Sequence, residues 1–228
     1  MSAEKYKAYD NFLKQNMNPE YSIYWSRKQA SDFPNIGIKS KWLYCRMYKC
    51  IIVLVKAMID ERNRRANADI KPNDFSDIAL IGCVIILQTC EAVGRLCTGK
   101  GYSEKAKGNN YCEFKHFVST YLVGNKTILR NIEKDEFIDV LWRGFRNSLS
   151  HGLFVSQGEL TEANEELIGW KVGSKVEINL ETLLKYFEEG MDCYFKEIEE
   201  SSDTAIQNNF NEAFDKYLVL LERKTAPE

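Results

Sequence analysis

The sequence predicts a single, mainly α-helical domain with a short β-hairpin in its C-terminal third. Most of the 228 residues belong to stretches with apolar side chains at three- and four-residue steps, which indicates helices. Residues 153–179 instead show short apolar runs punctuated by glycines, which indicates strands. Four prolines and no low-complexity tract predict one core over residues 1–228, without a disordered linker.

Four helices are predicted in the N-terminal half, each from its apolar periodicity. They cover about Ala3–Lys14, Lys39–Arg65, Phe75–Cys97 and Tyr111–Leu122. Residues 16–37 are rich in Tyr, Trp, Ser and Pro without a clean period, so we expect a loop pinned by aromatic side chains or a broken helix. The third helix is apolar nearly all round and is followed by Gly99, which predicts the central, most buried helix of the fold.

The C-terminal half predicts a helix, a hairpin and two further helices. The helix covers about Glu133–His151 and ends at Gly152, where a left-handed residue is usually required. The runs LFVS, IGWKV and KVEINL within 153–179 are predicted as short strands, with a turn over 172–175. The last two helices are predicted over Leu180–Glu199 and Thr204–Arg223.

The cysteines and the apolar runs indicate a cellular compartment. Cys83, Cys90 and Cys97 recur every seven residues, which places them on one stripe of the third helix. The chain has no CxxC pair with partner histidines, so we predict buried thiols in a reducing cytoplasm and no metal site. The runs CIIVLVKAMI and ALIGCVIILQTC are shorter than the ~20 residues of a membrane span, and the start of the chain does not resemble a signal peptide. We therefore expect a cytoplasmic protein that does not engage a membrane.

A net charge of −2 conceals an uneven distribution of charge along the chain. Residues 25–65 hold ten Lys/Arg against three Asp/Glu, residues 95–158 ten against six, and residues 159–228 seven against seventeen. These balances of +7, +4 and −10 exclude a globally basic nucleic-acid binder and leave a locally basic surface open. The alternative is that all three segments form ordinary solvated faces.

One constellation of residues carries chemistry. In WRGFRNSLSHG, Arg146 is followed by Asn147 and, five positions after the arginine, by His151. This Arg-Asn-x-x-x-His pattern ends an apolar helix that two apolar helices precede and a hairpin follows, and it resembles the signature of the HEPN superfamily over roughly residues 40–200. The resemblance implies a small helical bundle, metal-independent cleavage of RNA, no cofactor and a homodimer. It also implies a toxin or antiviral effector that an inhibitory partner protein restrains.

These residue types suit RNA cleavage without a metal ion. A histidine titrates near neutral pH and can act as base or acid, and an arginine offers a positive fork to phosphate oxygens. Asn147 lies four residues before His151, so it would hold the imidazole or contact a phosphate oxygen. At about 100° per residue, Arg146 and His151 are roughly 140° apart around a helix. Two facing copies of the helix would overcome that separation, so we predict a site composed across a homodimer.

Basic residues near the motif are predicted to bind the RNA backbone. They are Arg143, Lys105, Lys107 and Arg130. The alternative for the motif itself is a helix end at which the macrodipole stabilises His151 and Arg146 forms a surface ion pair. Two functions without nuclease activity also stay open. One is a HEPN-like module that binds nucleotides, RNA or a protein, and the other is a helical scaffold in which the motif is incidental.

Overall fold

The computed structural model describes residues 1–17, 33–68, 76–99, 110–124, 126–147, 158–161, 167–201 and 204–223. Within these ranges the chain forms seven continuous helices and a four-stranded mixed sheet, which confirms the mainly helical class. The α-helical segments are α1 (Ala3–Asn16), α2 (Ile36–Met47), α3 (Val53–Asn67), α4 (Ser76–Thr98), α5 (Asn110–Phe117), α6 (Lys134–Asp139), α7 (Leu180–Glu200) and α8 (Thr204–Arg223).

Three stretches wind as π-helix, with hydrogen bonds between residues five apart. They are π1 (Tyr48–Ile52), which joins α2 to α3, π2 (Val118–Val123), which extends α5, and π3 (Val140–Asn147), which extends α6. The sequence predicted uniform α-helices at all three places. The helix predicted over 133–151 is described as far as Asn147. Its last residues, Gly152, the run LFVS and residues 18–32 lie outside the described part of the chain.

Side-chain caps fix the residue at which three helices begin. Ser2, Asn35 and Asn179 each precede a helix, and each side-chain oxygen accepts the backbone N–H three residues further on at 2.9–3.1 Å. These short polar side chains are preferred at this position because they satisfy an otherwise unpaired N–H. The starts of α1, α2 and α7 are therefore encoded locally.

Helix α4 runs through the core with one face buried and one face open. Cys83, Cys90 and Cys97 are buried on one stripe as predicted, and burial raises the pKa of the Cys83 thiol to about 12. The opposite face is open, and Ile81 there is 50% exposed. The expectation of burial all round is therefore too strong. Ile78–Thr98 is long and apolar enough to cross a membrane, but 56% of its apolar window is buried inside the fold, as in a core helix of a soluble protein.

A glycine allows α5 to cross α4 at close range. A Cβ added at Gly94 would lie 2.0 Å from the carbonyl oxygen and 2.5 Å from the carbonyl carbon of Glu113. Both are backbone atoms, so no side-chain rotation could make room for a methyl group. This crossing holds α5 beside the C-terminal half of α4, where the functional residues described below lie.

The sheet contains the predicted hairpin and two strands that the sequence did not predict. Its strands are β1 (Leu129–Arg130), β2 (Gly158–Thr161), β3 (Gly169–Val172) and β4 (Lys175–Asn179), in the spatial order β1-β3-β4-β2. Strands β3 and β4 are antiparallel and joined at the predicted turn, where Gly173 has φ 61°. The two edge strands each pair in parallel with a hairpin strand.

Two glycines let the sheet lie directly on the α6–π3 helix. A Cβ at Gly158 would lie 2.4 Å from the ring of Phe145, and one at Gly169 would lie 2.2 Å from the ring of Phe137. Both phenylalanines are fully buried. The sheet therefore fixes the orientation of the helix that carries the Arg-Asn-x-x-x-His pattern.

Candidate functional site

The helix that carries the motif is held rigidly on its apolar side. Phe137, Leu141 and Phe145 are completely buried, as their spacing predicted. The polar residues after Phe145 are consequently fixed in direction at the C-terminal end of π3. The Arg146 side chain is 18% exposed, so its guanidinium lies mostly inside the protein rather than on a solvated face.

The guanidinium of Arg146 is bound on two sides. Its Nη2 lies 2.5 Å from Oε2 of Glu91 on α4, and its Nη1 donates to Oδ1 of Asn147 at 2.8 Å. The guanidinium carbon also lies 4.6 Å from the centroid of the Trp142 ring, in a cation–π contact. Arg146 therefore has a defined position before any ligand arrives, and Asn147 helps to define it.

Glu91 binds a second arginine as well. Its Oε1 accepts from Nη2 of Arg95, one helical turn further along α4. The Glu91 side chain is 8% exposed, so two guanidinium groups share one buried carboxylate. Guanidinium groups held in fixed positions match the oxygens of a phosphate in both charge and geometry.

Sequence reasoning did not find Glu91 or Arg95. A signal was present, since Glu91 is the one carboxylate in the apolar middle of α4 and Arg95 follows it at a spacing that places both on one face. What the sequence lacked was the partner. Arg146 is 55 positions away from Glu91, and only the packing of α4 against π3 brings them together.

The segment that carries the described part of the motif is wound as π-helix rather than as α-helix. The angle of roughly 140° between Arg146 and His151 assumed α winding throughout. Over Val140–Asn147 the helix is wound with i→i+5 hydrogen bonds, so residues five apart are neighbours along its axis. The winding is described to Asn147, and His151 itself lies outside the described residues.

Two aromatic side chains border the arginine cluster. The Trp142 ring has its centroid 5.7 Å from that of Tyr111 and 5.0 Å from that of Phe114. The Tyr111 hydroxyl donates to Oδ1 of Asp139. Partial burial, together with the hydrogen bond and charge of Asp139, raises the pKa of Tyr111 to about 12. Tyr111 is therefore a neutral hydrogen-bonded phenol at physiological pH.

The other predicted site residues are spread over several places. Arg143 is exposed on π3, one turn before Arg146. Arg130 is exposed on β1, where it is paired with Trp170 of β3, and the neighbouring Gly169 packs on Phe137 of α6 rather than on the π3 segment that carries Arg146. Lys105 and Lys107 lie outside the described residues. His116 is exposed on α5.

A cleft of about 520 Å³ lies elsewhere on the molecule, between α3 and α7. Ile59 and Leu184 are buried in its floor, and its rim carries charges of both signs, including Lys56 and Glu188. None of the predicted site residues that the structure describes lines this cleft. Among the described residues, no group of three or more His, Cys, Asp or Glu side chains is arranged to hold a metal ion.

Comparison with known proteins does not assign the chain to a family. No family model matches it, and neither the curated proteins nor the solved structures contain a match. The fold and the site therefore describe the chain only as a mainly helical protein with a small mixed sheet. Its buried Glu–Arg–Arg cluster includes Arg146, which also contacts Asn147.

Proposed function

We propose that this protein is a HEPN-like, metal-independent endoribonuclease in which Arg146 and His151 are the catalytic pair. The observation that carries the proposal is the position of Arg146. Its guanidinium is held by buried Glu91 and by Asn147 at the end of the helix that bears the Arg-Asn-x-x-x-His pattern. A catalytic group must be held in position by its neighbours, and these contacts hold Arg146 in that way.

The chemistry assigns one step to each residue. His151 takes the proton of a ribose 2′-hydroxyl, and the 2′-oxygen attacks the adjacent phosphorus. Arg146 neutralises the phosphate as negative charge develops on its oxygens. The bond from phosphorus to the 5′-oxygen breaks, and that oxygen takes up a proton. The products are a 2′,3′-cyclic phosphate and a 5′-hydroxyl, and no step requires a metal ion or an organic cofactor.

Paired alanine variants test this assignment. His151→Ala and Arg146→Ala should each reduce cleavage of single-stranded RNA in chelator by about 10² or more. Asn147→Ala should reduce it less, because Asn147 orients its neighbours and transfers no proton. The chain offers matched controls in His116→Ala, which removes its other histidine, and Arg64→Ala, which removes an exposed arginine. Cleavage that survives both active-site substitutions would contradict the proposal.

The homodimer remains part of the proposal, and a mixing experiment tests whether its sites are shared. If each site takes Arg146 from one chain and His151 from the other, mixing the two inactive alanine variants restores one intact site in every mixed dimer. Statistical exchange should then recover about a quarter of the wild-type activity. If each site takes both residues from the same chain, mixing should restore nothing.

The RNA path should follow the basic residues close to the motif. We propose that Arg143 contacts a phosphate beside Arg146, and that Lys105 and Lys107 extend the path. Replacing both lysines with Gln should weaken binding of single-stranded RNA and lower the salt dependence by a slope of roughly 0.7 per lost contact. Cleavage at saturating RNA should not change. Unchanged affinity would remove the lysines from the path.

A toxin or antiviral role, with an inhibitory partner, follows only if the nuclease activity is present. The competing function is a HEPN-like module that binds RNA, nucleotides or a protein without cleaving. The cleavage assay separates the two, because a binding module would retain RNA through the arginine cluster and leave it intact.

A further inference from the structure

Trp142 differs from the other tryptophans of the described residues in its exposure. Trp42 and Trp170 are each 5% exposed and belong to the core, whereas Trp142 is only partly buried. The guanidinium of Arg146 lies over its ring, 4.6 Å from the centroid, and the partly exposed Tyr111 meets the ring at an interplanar angle of 60°. Two partly exposed aromatic rings therefore adjoin the arginine cluster.

The neighbours of Trp142 hold it in place. Phe114, which is fully buried, packs against its ring with 5.0 Å between centroids. The Tyr111 hydroxyl donates to Asp139, which fixes the second ring. Arg143 is exposed next to Trp142 in the chain and acts electrostatically on Tyr111. Both rings are thus held in place, with the mostly buried Arg146 over Trp142 and the exposed Arg143 close enough to act on Tyr111.

We propose that Trp142, with Tyr111 at its edge, forms a stacking platform for an unpaired nucleobase whose phosphate is bound by Arg146. The inference rests on the proposed function and specifies the substrate as single-stranded at the cleaved position. A duplex keeps its bases stacked on one another, so only a base splayed out of the stack can lie on this platform. Aromatic stacking accepts any base, because every base has a π-face, so the platform selects strandedness rather than sequence.

The size of the effect follows from known stacking contributions. Loss of one stacked base should weaken binding roughly tenfold, which corresponds to ~1.4 kcal/mol. Trp142→Phe should retain most of the affinity because it keeps a ring, and Trp142→Leu should lose it. Tyr111→Leu gives an independent variant on a different helix. Trp170→Phe is the matched control, since it removes a tryptophan that is buried away from the cluster.

The experiment measures coupling between ring and base rather than affinity alone. Binding is measured on His151→Ala protein, so that the RNA stays intact, with fluorescein-labelled single-stranded octanucleotides that are either complete or abasic at one central position. We expect Trp142→Leu and the abasic position each to weaken binding about tenfold, and the two together no more than either alone. Adenosine monophosphate, tested in parallel, shows whether a free nucleotide uses the same platform. Melting curves of all variants establish that they are folded.

Additive losses would overturn the inference, because they would mean that the ring and the base do not meet. Equal binding of duplex and single-stranded RNA would overturn it too. The proposed function fails separately. If Trp142 and the base are coupled but the wild type does not cleave RNA, the platform belongs to a nucleotide-binding module. If the wild type cleaves RNA but Trp142 and the base are not coupled, the protein is a nuclease that binds its substrate through the phosphates alone.

Discussion

The substitution Glu91→Gln tests whether one buried carboxylate organises the site. Glu91 is 8% exposed and accepts from both Arg95 and Arg146, whose side chains are 13% and 18% exposed. A glutamine of the same shape can accept from one guanidinium through its amide oxygen. Its NH2 group then faces the other guanidinium as donor against donor. The change therefore removes the buried negative charge that the two mostly buried guanidinium groups share.

The loss in free energy of unfolding depends on how deeply the ion pair is buried. Removing one partner of a buried ion pair destabilises a protein by about 3–5 kcal/mol. We take about 3 kcal/mol, because both guanidinium groups retain some contact with water. For a chain of this length, that loss lowers the melting temperature by roughly 6–12 °C.

The chain provides a matched control in Glu61. This glutamate also pairs with two arginines, Arg64 and Arg65, but its side chain is 36% exposed on α3. Exposed ion pairs contribute little, so Glu61→Gln should leave the melting temperature nearly unchanged. Thermal unfolding followed by circular dichroism measures both variants. Equal shifts for the two, or no shift for Glu91→Gln, would refute the claim that Glu91 is a buried organising charge.

Three further predictions concern packing and titration. Gly94→Ala should lower the free energy of unfolding, measured in urea, by about 1–3 kcal/mol or more, because the added methyl group would overlap the backbone of Glu113. Gly82→Ala is the control: its methyl group would meet no atom closer than 3.4 Å, so the change should be neutral or stabilising by up to ~1 kcal/mol. In the native protein a thiol reagent should modify the exposed Cys112 and Cys193 and leave the buried stripe of α4 unmodified, as peptide mass spectrometry would show; modification of that stripe before unfolding would contradict the packing. The free energy of unfolding should fall as pH rises above about 9. Burial raises the pKa of several thiols and tyrosines in the folded state, so the unfolded chain loses these protons at lower pH than the folded chain does. A urea midpoint that stays constant from pH 8 to pH 10.5 would contradict this.

Features that depend on neighbours close in sequence could be predicted, and the last helix is the clearest case. Its predicted limits, Thr204 and Arg223, are those of α8, because periodicity and caps act within a few residues. The turn at Gly173 was predicted for the same reason. The edge strands β1 and β2 were not predicted, because strands of two and four residues exist only through pairing with the hairpin.

The site shows the same division between local and distant information. Arg146 and Asn147 form a recognisable pattern within one helix, and the structure places them in contact. The π winding of the segment that carries them was not predictable, since propensity scales do not distinguish it from α winding. Glu91 could not be recognised as a site residue because its partner, Arg146, is 55 positions away in the sequence.

The chemical ends of cleaved RNA test whether the protein cuts RNA by attack of the 2′-hydroxyl without a metal ion. Wild-type protein is incubated with a defined single-stranded RNA in the presence of a chelator, and the products are analysed by mass spectrometry. We expect fragments that end in a 2′,3′-cyclic phosphate and begin with a 5′-hydroxyl. We expect no cleavage of an RNA in which the 2′-hydroxyl at the cut position is replaced by hydrogen. Intact RNA, fragments with a 5′-phosphate, or equal cleavage of the 2′-deoxy substrate would contradict it.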